Sequence, residues 1–304
     1  MNKLQPGKAE KPSFSIVIPA YNEEGYIKQC LSSLKEQDFK DPFEVIVVDN
    51  NSSDETSKIA KTMGAKVILE TERGICFARQ AGLAKAKAPI VISTDADTTF
   101  PKHWLSDIDK LFKQNPSAVV VAGIPRFVDA PIWARIVIPS YYMLLRLYTK
   151  IFKSPFCLFA SNIAFKKKAF SGYNTNYTQG GDELCLLKEA KQHGSVILNF
   201  KNVVYTSSRR LNNGFLYNFF VTYIFYYLID YNLTLMTGKS MLGYSPVFRE
   251  RADNLLKKRN IQILLLLAVS IFFALAWRYS AHRVQFLETK TEQLESIIRK
   301  VRRK

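Results

Sequence analysis

Four cysteines in 304 residues, no two of them in a CxxC pair, argue against a disulfide scaffold and against a zinc site. Cys30, Cys76, Cys157 and Cys185 stand far apart, as a reducing compartment allows. Histidine is scarcer still, at three, and neither His103 nor His193 has a metal-ligand partner nearby in sequence; both read as surface or capping residues. No GxGxxG follows the first apolar run, which disfavours dinucleotide binding, and no GxxxxGK[ST] occurs, which removes P-loop phosphate transfer. Residues 1–12 are polar with no apolar h-region, so no signal peptide is expected. Acidic residues are in deficit: 26 Asp and Glu stand against 43 Lys and Arg, a formal charge of +17. Such a balance calls for an acidic partner, whether nucleic acid, anionic lipid or a phosphorylated substrate. No zinc finger, RNP-type aromatic motif or basic zipper is present, so nucleic acid is set aside.

What is present is a strand-helix alternation. Runs at 14–18, 44–48, 65–69 and 89–94 are rich in Val and Ile, as buried parallel strands are. Helices are expected between them at 25–37, 55–63 and 74–87, the first with Ile27, Leu31 and Leu34 on one face. That spacing implies an α/β domain with right-handed crossovers. A helix at 104–113, a strand at 118–122, a strand at 161–165, a helix at 182–193 and a strand at 196–200 follow, with 203–210 read as a loop.

Three apolar zones differ from this pattern. Residues 131–153 form an aromatic-rich stripe with Arg135, Arg146, Lys150 and Lys153 beside it, which suits either a membrane-interface helix or a helix covering the domain. Residues 215–236 are long enough to span a bilayer, yet Asn218, Thr222, Asp230 and Thr234 make a polar stripe better suited to an interface. Residues 261–277 are almost purely aliphatic between Lys257–Arg259 and Arg278, and read as a transmembrane helix with Trp277 as an anchor. The expected organisation is therefore a polar lead at 1–12, an α/β domain at 13–213, an interfacial segment with basic linker at 214–260, a span at 261–278 and a basic helical tail at 279–304. The tail has heptad-like spacing from Val284 to Val301, a surface for self-association. A single-pass membrane protein is expected, or two-pass if 215–236 spans, with the catalytic domain on the cytoplasmic face.

Acidic groups recur at strand carboxyl ends: Glu23 and Glu24 after the first, Asp49 at the second, Asp95 and Asp97 after the fourth. In an open α/β sheet those ends share one crevice. Two Asp one residue apart at a strand mouth can seat Mg²⁺ or Mn²⁺, which favour one or two carboxylates plus substrate phosphate oxygens.

Five motifs in order, 19–24 (PAYNEE), 47–56 (VVDNNSSDET), 78–82 (ARQAG), Asp95-Ala96-Asp97 and Gly181-Asp182-Glu183, resemble those of the family 2 glycosyltransferases of GT-A fold, over Phe14 to Arg210. The resemblance implies a GT-A type, Rossmann-like, mostly parallel sheet flanked by helices, here followed by C-terminal membrane-associated helices. It implies that Ala20, Tyr21 and Glu23 line a nucleotide pocket, that Asp49 accepts from the base, and that Arg79 approaches the phosphates or closes the base pocket. Asp95 would contact ribose or a metal-bound water, and Asp97 would ligate Mn²⁺ or Mg²⁺. The family's Glu-Asp pair is inverted here as Asp182-Glu183; alignment favours Glu183 as the base, with Asp182 a competitor, and both also suit a helix N-terminus. Asn50 and Gln80 depart from the family's Asp and Asn. The Gln-x-x-Arg-Trp signature of processive synthases is absent, while Arg209 and Arg210 follow a strand where guanidinium can reach a diphosphate.

The implied activity is metal-dependent, inverting transfer of one sugar from a UDP- or GDP-linked donor to a lipid-linked acceptor, such as a polyprenyl phosphate, or to a membrane-proximal one. A nucleotidyltransferase on a similar fold lacks its Gly-rich basic loop here, and a catalytically silent membrane adaptor would not need Asp49, Asp95 and Asp97.

Overall fold

The structure, a computed structural model, describes residues 4–5, 11–176 and 182–220. All of them fall within the first of two units into which the chain divides, Met1–Phe248; the second, Arg249–Lys304, lies outside the described residues. So do Gly181, all but the helical start of 215–236, the expected span at 261–277 and the tail. Among the described residues, no helix is long and apolar enough to cross a membrane.

The first half is the expected alternation: β1 Phe14–Ala20, α1 Ile27–Lys35, β2 Phe43–Asp49, α2 Thr56–Thr62, β3 Lys66–Leu69, α3 Ile75–Lys85 and β4 Ile90–Ser93. β1 pairs in parallel with β2 and β4, and β2 with β3. Side chains alternate across the strands, so one face takes Ile16, Ile18, Val45 and Val47 under α1, while Val17, Ile46 and Val48 lie on the other under α3. Helix α3 sits close because its Gly82 has no side chain: a Cβ there would stand 2.2 Å from Val17 Cγ1. The glycine of the ARQAG motif thus sets the height of Arg79 above the sheet.

The second half departs from a mostly parallel sheet. After β5 Thr98–Thr99, α4 Trp104–Gln114 and β6 Ala118–Val128 come α5 Ile132–Phe152, β7 Ile163–Lys166, α6 Asp182–His193 and β8 Ser195–Ser207. The eight strands are ordered β3-β2-β1-β4-β7-β6-β8-β5. β7 runs antiparallel between β4 and β6, and β5 runs antiparallel to β8, so the sheet is mixed. The reason is α5: only Ala134 and Leu145 of its 21 residues are buried, so it is no crossover packed on the sheet, and the chain re-enters from the end it left.

The 203–210 stretch is also corrected, because β8 continues to Ser207. Asn199, Lys201 and Asn202 interrupt the apolar pattern at an irregularity in the β6–β8 ladder between Ala122 and Ile124. There Gly123 lies against Asn202, whose carbonyl oxygen would be 2.0 Å from an added Cβ. Beyond it, Val204 and Thr206 point inward and Tyr205 outward, as a strand requires.

Candidate active site

Because β7 is antiparallel to both β4 and β6, and β8 is parallel to β6, the carboxyl ends of β1, β2, β4, β6 and β8 share one edge of the sheet. Ala20 and Asp49 are register partners at that edge. The turns after them use Asn22 and Asn51 at positive φ, 52° and 63°, a conformation asparagine tolerates. They interlock: Ser53 N–H donates to Asn22 Oδ1 at 2.8 Å, Ser52 N–H to Asp49 Oδ1 at 3.0 Å, and Glu23 N–H to Thr56 Oγ1 at 2.7 Å. The Arg73 guanidinium lies 5.7 Å over the Tyr21 ring.

The two-residue strand β5 carries Asp97 to the end of β8. Thr98 and Thr99 pair with Thr206 and Tyr205, and Ser207 N–H donates to the Asp97 carbonyl. The Arg209 guanidinium then forks onto both carboxylate oxygens of Glu23, at 2.8 and 2.7 Å, and reaches Asp97 Oδ2 at 2.9 Å. Thr206 Oγ1 donates to the other Asp97 oxygen at 3.2 Å, and the Tyr26 ring backs the guanidinium at 4.8 Å.

A second buried guanidinium bridges the metal motif to helix α6. Arg79 donates from Nη2 to Asp95 Oδ1 at 3.0 Å and from Nη1 to Asp182 Oδ2. Both Arg79 and Asp182 are about 3 % exposed, whereas a third of the Asp95 side chain is open. Burial presses the Asp182 carboxyl upward, but the Arg79 charge and hydrogen bonds from Glu183 and Arg79 outweigh it and hold it below the usual carboxylate range. Glu183 goes the other way: burial, the Asp182 charge and a hydrogen bond shared with Asp182 raise it well above that range.

Five carboxyl groups, Glu23, Asp95, Asp97, Asp182 and Glu183, thus surround two guanidinium groups. Burial holds Asp97 above its ordinary pKa and outweighs the opposing charge of Arg209, with Asp95 and Glu23 adding to the rise and Arg210 opposing it. The Asp97 oxygens are hard donors, which suit Mg²⁺ or Mn²⁺. Among the described residues, no three His, Cys, Asp or Glu side chains form a ligand group.

The sequence model described as Glycosyl transferase family 2 matches residues 15–173, from the second residue of β1 to beyond β7, with four of the five motifs. The chain belongs to glycosyl transferase family 2. Among curated relatives, the poly(ribitol-phosphate) beta-N-acetylglucosaminyltransferase TarS of Staphylococcus aureus strain Mu50 is 34% identical over 115 residues, 36% of this chain and 20% of that one. The match therefore spans a fifth of that relative. The glucosyl-dolichyl phosphate glucuronosyltransferase of Haloferax volcanii is 25% identical over 222 residues, 66% of this chain and 68% of that one. Among solved structures, a mannosyltransferase from Pyrobaculum calidifontis in complex with GDP-Man and Mn²⁺ superposes with a TM-score of 0.55 at 22% identity, covering 77% of this chain and 72% of the other. These structural likenesses establish a shared fold.

Against the family's pattern, the structure brings Glu23, Asp97 and Arg209 together in one cluster and Arg79, Asp95, Asp182 and Glu183 in a second, joined through the Asp95–Asp97 turn. Ala20, Tyr21 and Asp49 line the same edge. Arg79, expected at the phosphates or the base pocket, bridges two carboxylates, and Arg210 is exposed and acts on Asp97 through its charge. The two departures from the family have local causes. Asn50 donates to the Glu70 and Glu72 carbonyls and accepts from Gly74 N–H, a role a carboxylate cannot fill because it has nothing to donate. Gln80 accepts from Tyr173 N–H beneath Gly172, whose φ is +143°. Sequence reasoning missed Thr206, Tyr26 and Tyr173, and had Thr56 only as the end of the 47–56 motif. Thr206 had a signal, the alternation Val204-Tyr205-Thr206, hidden by the polar bulge before it.

Proposed function

We propose that this chain transfers one sugar from a nucleoside diphosphate-linked donor to a lipid-linked or membrane-proximal acceptor, with inversion and with a divalent cation. One observation carries the reading: Asp95 and Asp97 lie at the sheet's carboxyl edge beside Arg209, with a carboxyl of raised pKa, Glu183, tied to the same turn through Asp182 and Arg79. Ala20, Tyr21 and Asp49 take the nucleoside. Asp97, aided by Asp95, holds Mn²⁺ or Mg²⁺, which when bound neutralises charge gathering on the departing diphosphate. Glu183 accepts the acceptor's proton as its oxygen attacks the anomeric carbon and the bond to the diphosphate breaks. Asp182 is the poorer base, because Arg79 stabilises its ionised form.

The test is release of nucleoside diphosphate from UDP- and GDP-sugars by detergent-purified protein, with and without Mn²⁺. One donor is turned over, and Asp97→Ala lowers that turnover by about 10²-fold or more, the scale of losing one electrostatic contact to a transition state. Equal turnover in Asp97→Ala refutes the assignment.

The acceptor reading draws on α5. Ile132, Ile136, Met143, Leu147 and Ile151 form one stripe along this helix and are each more than half exposed. Arg146, Lys150 and Lys153 are exposed as well, the pattern of a helix lying on an anionic bilayer surface. The relative whose name carries a dolichyl phosphate supports the same reading. Met143→Asp/Leu147→Asp lowers transfer to an acceptor embedded in anionic vesicles by about tenfold or more, two apolar side chains being worth ~1.5–3 kcal/mol each when buried. Turnover of donor in detergent stays unchanged. Undiminished transfer in the vesicles removes α5 from the acceptor site.

A further inference from the structure

We propose that Arg209 is an internal counter-ion that holds the cation's seat at Asp97 and gives it up to an incoming diphosphate, so that nucleotide loading opens the seat. The inference rests on the nucleotide-and-cation reading above and concerns how the two are coupled.

Each oxygen of the Asp97 carboxylate has a partner. Oδ2 is paired with Arg209 Nη2 at 2.9 Å and Oδ1 accepts from Thr206 Oγ1 at 3.2 Å. A cation approaching Oδ2 meets a guanidinium already within hydrogen-bond distance of that atom, and the two positive charges compete for it. The same guanidinium is anchored independently of Asp97. Its fork onto Glu23 uses both carboxylate oxygens, at 2.8 and 2.7 Å, and the Tyr26 ring lies 4.8 Å from its central carbon. Glu23 is the pivot and Asp97 the releasable end. Arg209 has one-fifth of its side chain exposed, and it lies past the end of β8 rather than within the ladder, so its planar fork can turn to a diphosphate without moving the sheet. A diphosphate offers several anionic oxygens in the bidentate geometry guanidinium favours. Binding one would draw Nη2 from Asp97 and leave Oδ2 to a cation; by reciprocity, a cation at Oδ2 would release Arg209 toward the diphosphate.

The measurement is Mn²⁺ binding, read as the free-ion EPR signal during titration of full-length protein in detergent, with UDP or GDP as the nucleotide probe and no sugar donor present. Mn²⁺ alone binds Arg209→Met about tenfold more tightly than wild type, within the usual range of coupling between sites. Arg209→Lys stays near wild type, because the charge is kept. The nucleoside diphosphate alone binds Arg209→Met about tenfold less tightly. Arg209→Met strands the Glu23 charge, so the double variant Glu23→Gln/Arg209→Met supplies a neutral pair should the single variant fail to fold, and it too binds Mn²⁺ more tightly than wild type. If the folded variants bind Mn²⁺ alone no more tightly than wild type while the nucleotide still binds, the counter-ion role is overturned and the functional reading stands. If wild type binds neither Mn²⁺ nor either nucleotide, both fall together.

Discussion

Glu183→Gln lowers kcat by about 10²–10⁴-fold, the range spanned by loss of a general base, and removes the acidic limb of the pH–rate profile. The sign follows from the environment. Burial, the Asp182 charge and the hydrogen bond to Asp182 all favour the protonated Glu183 carboxyl, and Arg79 only partly opposes them. A base must be deprotonated to work, so kcat/KM rises with pH through the raised Glu183 value, above the ~4.3 of an ordinary glutamate. Asp182→Asn removes the neighbouring negative charge, so the limb moves toward lower pH. The measurement is a steady-state pH profile for wild type and both variants with saturating donor. A loss below about tenfold in Glu183→Gln would mean that the acceptor oxygen arrives already ionised, as a phosphate does.

Arg79→Met destabilises the domain by about 3–5 kcal/mol, the cost of stranding a buried charge, seen as a fall of roughly 10 °C in Tm at two to four degrees per kcal/mol. The charge left behind is Asp182, 3 % exposed and paired with Arg79. Adding Asp182→Asn to Arg79→Met restores most of the loss, because no charge is then buried alone. The pH dependence separates this from simple mispacking. In wild type the Asp182 pKa is depressed, so its contribution is present above the unfolded value, ~3.9, and is lost as pH falls through the folded one. Glu183, with a raised folded pKa, contributes most below its unfolded value and loses that contribution as pH rises through the folded one. Without Arg79, burial lifts Asp182 as well, so Arg79→Met gains more stability than wild type does on acidification from pH 7 to pH 5. Melting curves at the two pH values test it, and a Tm unmoved by the substitution would show that Asp182 has another counter-charge.

The residues of the crevice were legible because each motif abuts a strand, and a run of Val and Ile such as 45–48 announces where a strand stops. Asp49, Asp95 and Asp97 needed only that edge. The direction of β7 was not legible, since Ile163-Ala164-Phe165 offers the same buried pattern to either neighbour orientation; what decides it is that α5 leaves the sheet. The purpose of Asn50 was equally hidden. Only the folded loop shows two carbonyls, of Glu70 and Glu72, that require a donor. Arg209 was placed at the right edge by its position after a strand, but its partner Glu23 lies 186 residues away, and no local pattern encodes that pairing.

Helix α5 commits only Ala134 and Leu145 to the interior. Exchanges at its outward positions, such as Ile136, Met143, Leu147 and Ile151, meet no buried core, and surface changes of that kind cost within about ±0.5 kcal/mol. The residues that hold the domain together and those on the outer face that we propose meets the acceptor's surroundings are therefore largely different sets. A lineage can alter the outer face of one helix, and with it the environment in which the product is made, while the catalytic edge stays as it is. On the proposed acceptor reading, the same separation makes α5 the practical place to graft a new acceptor preference.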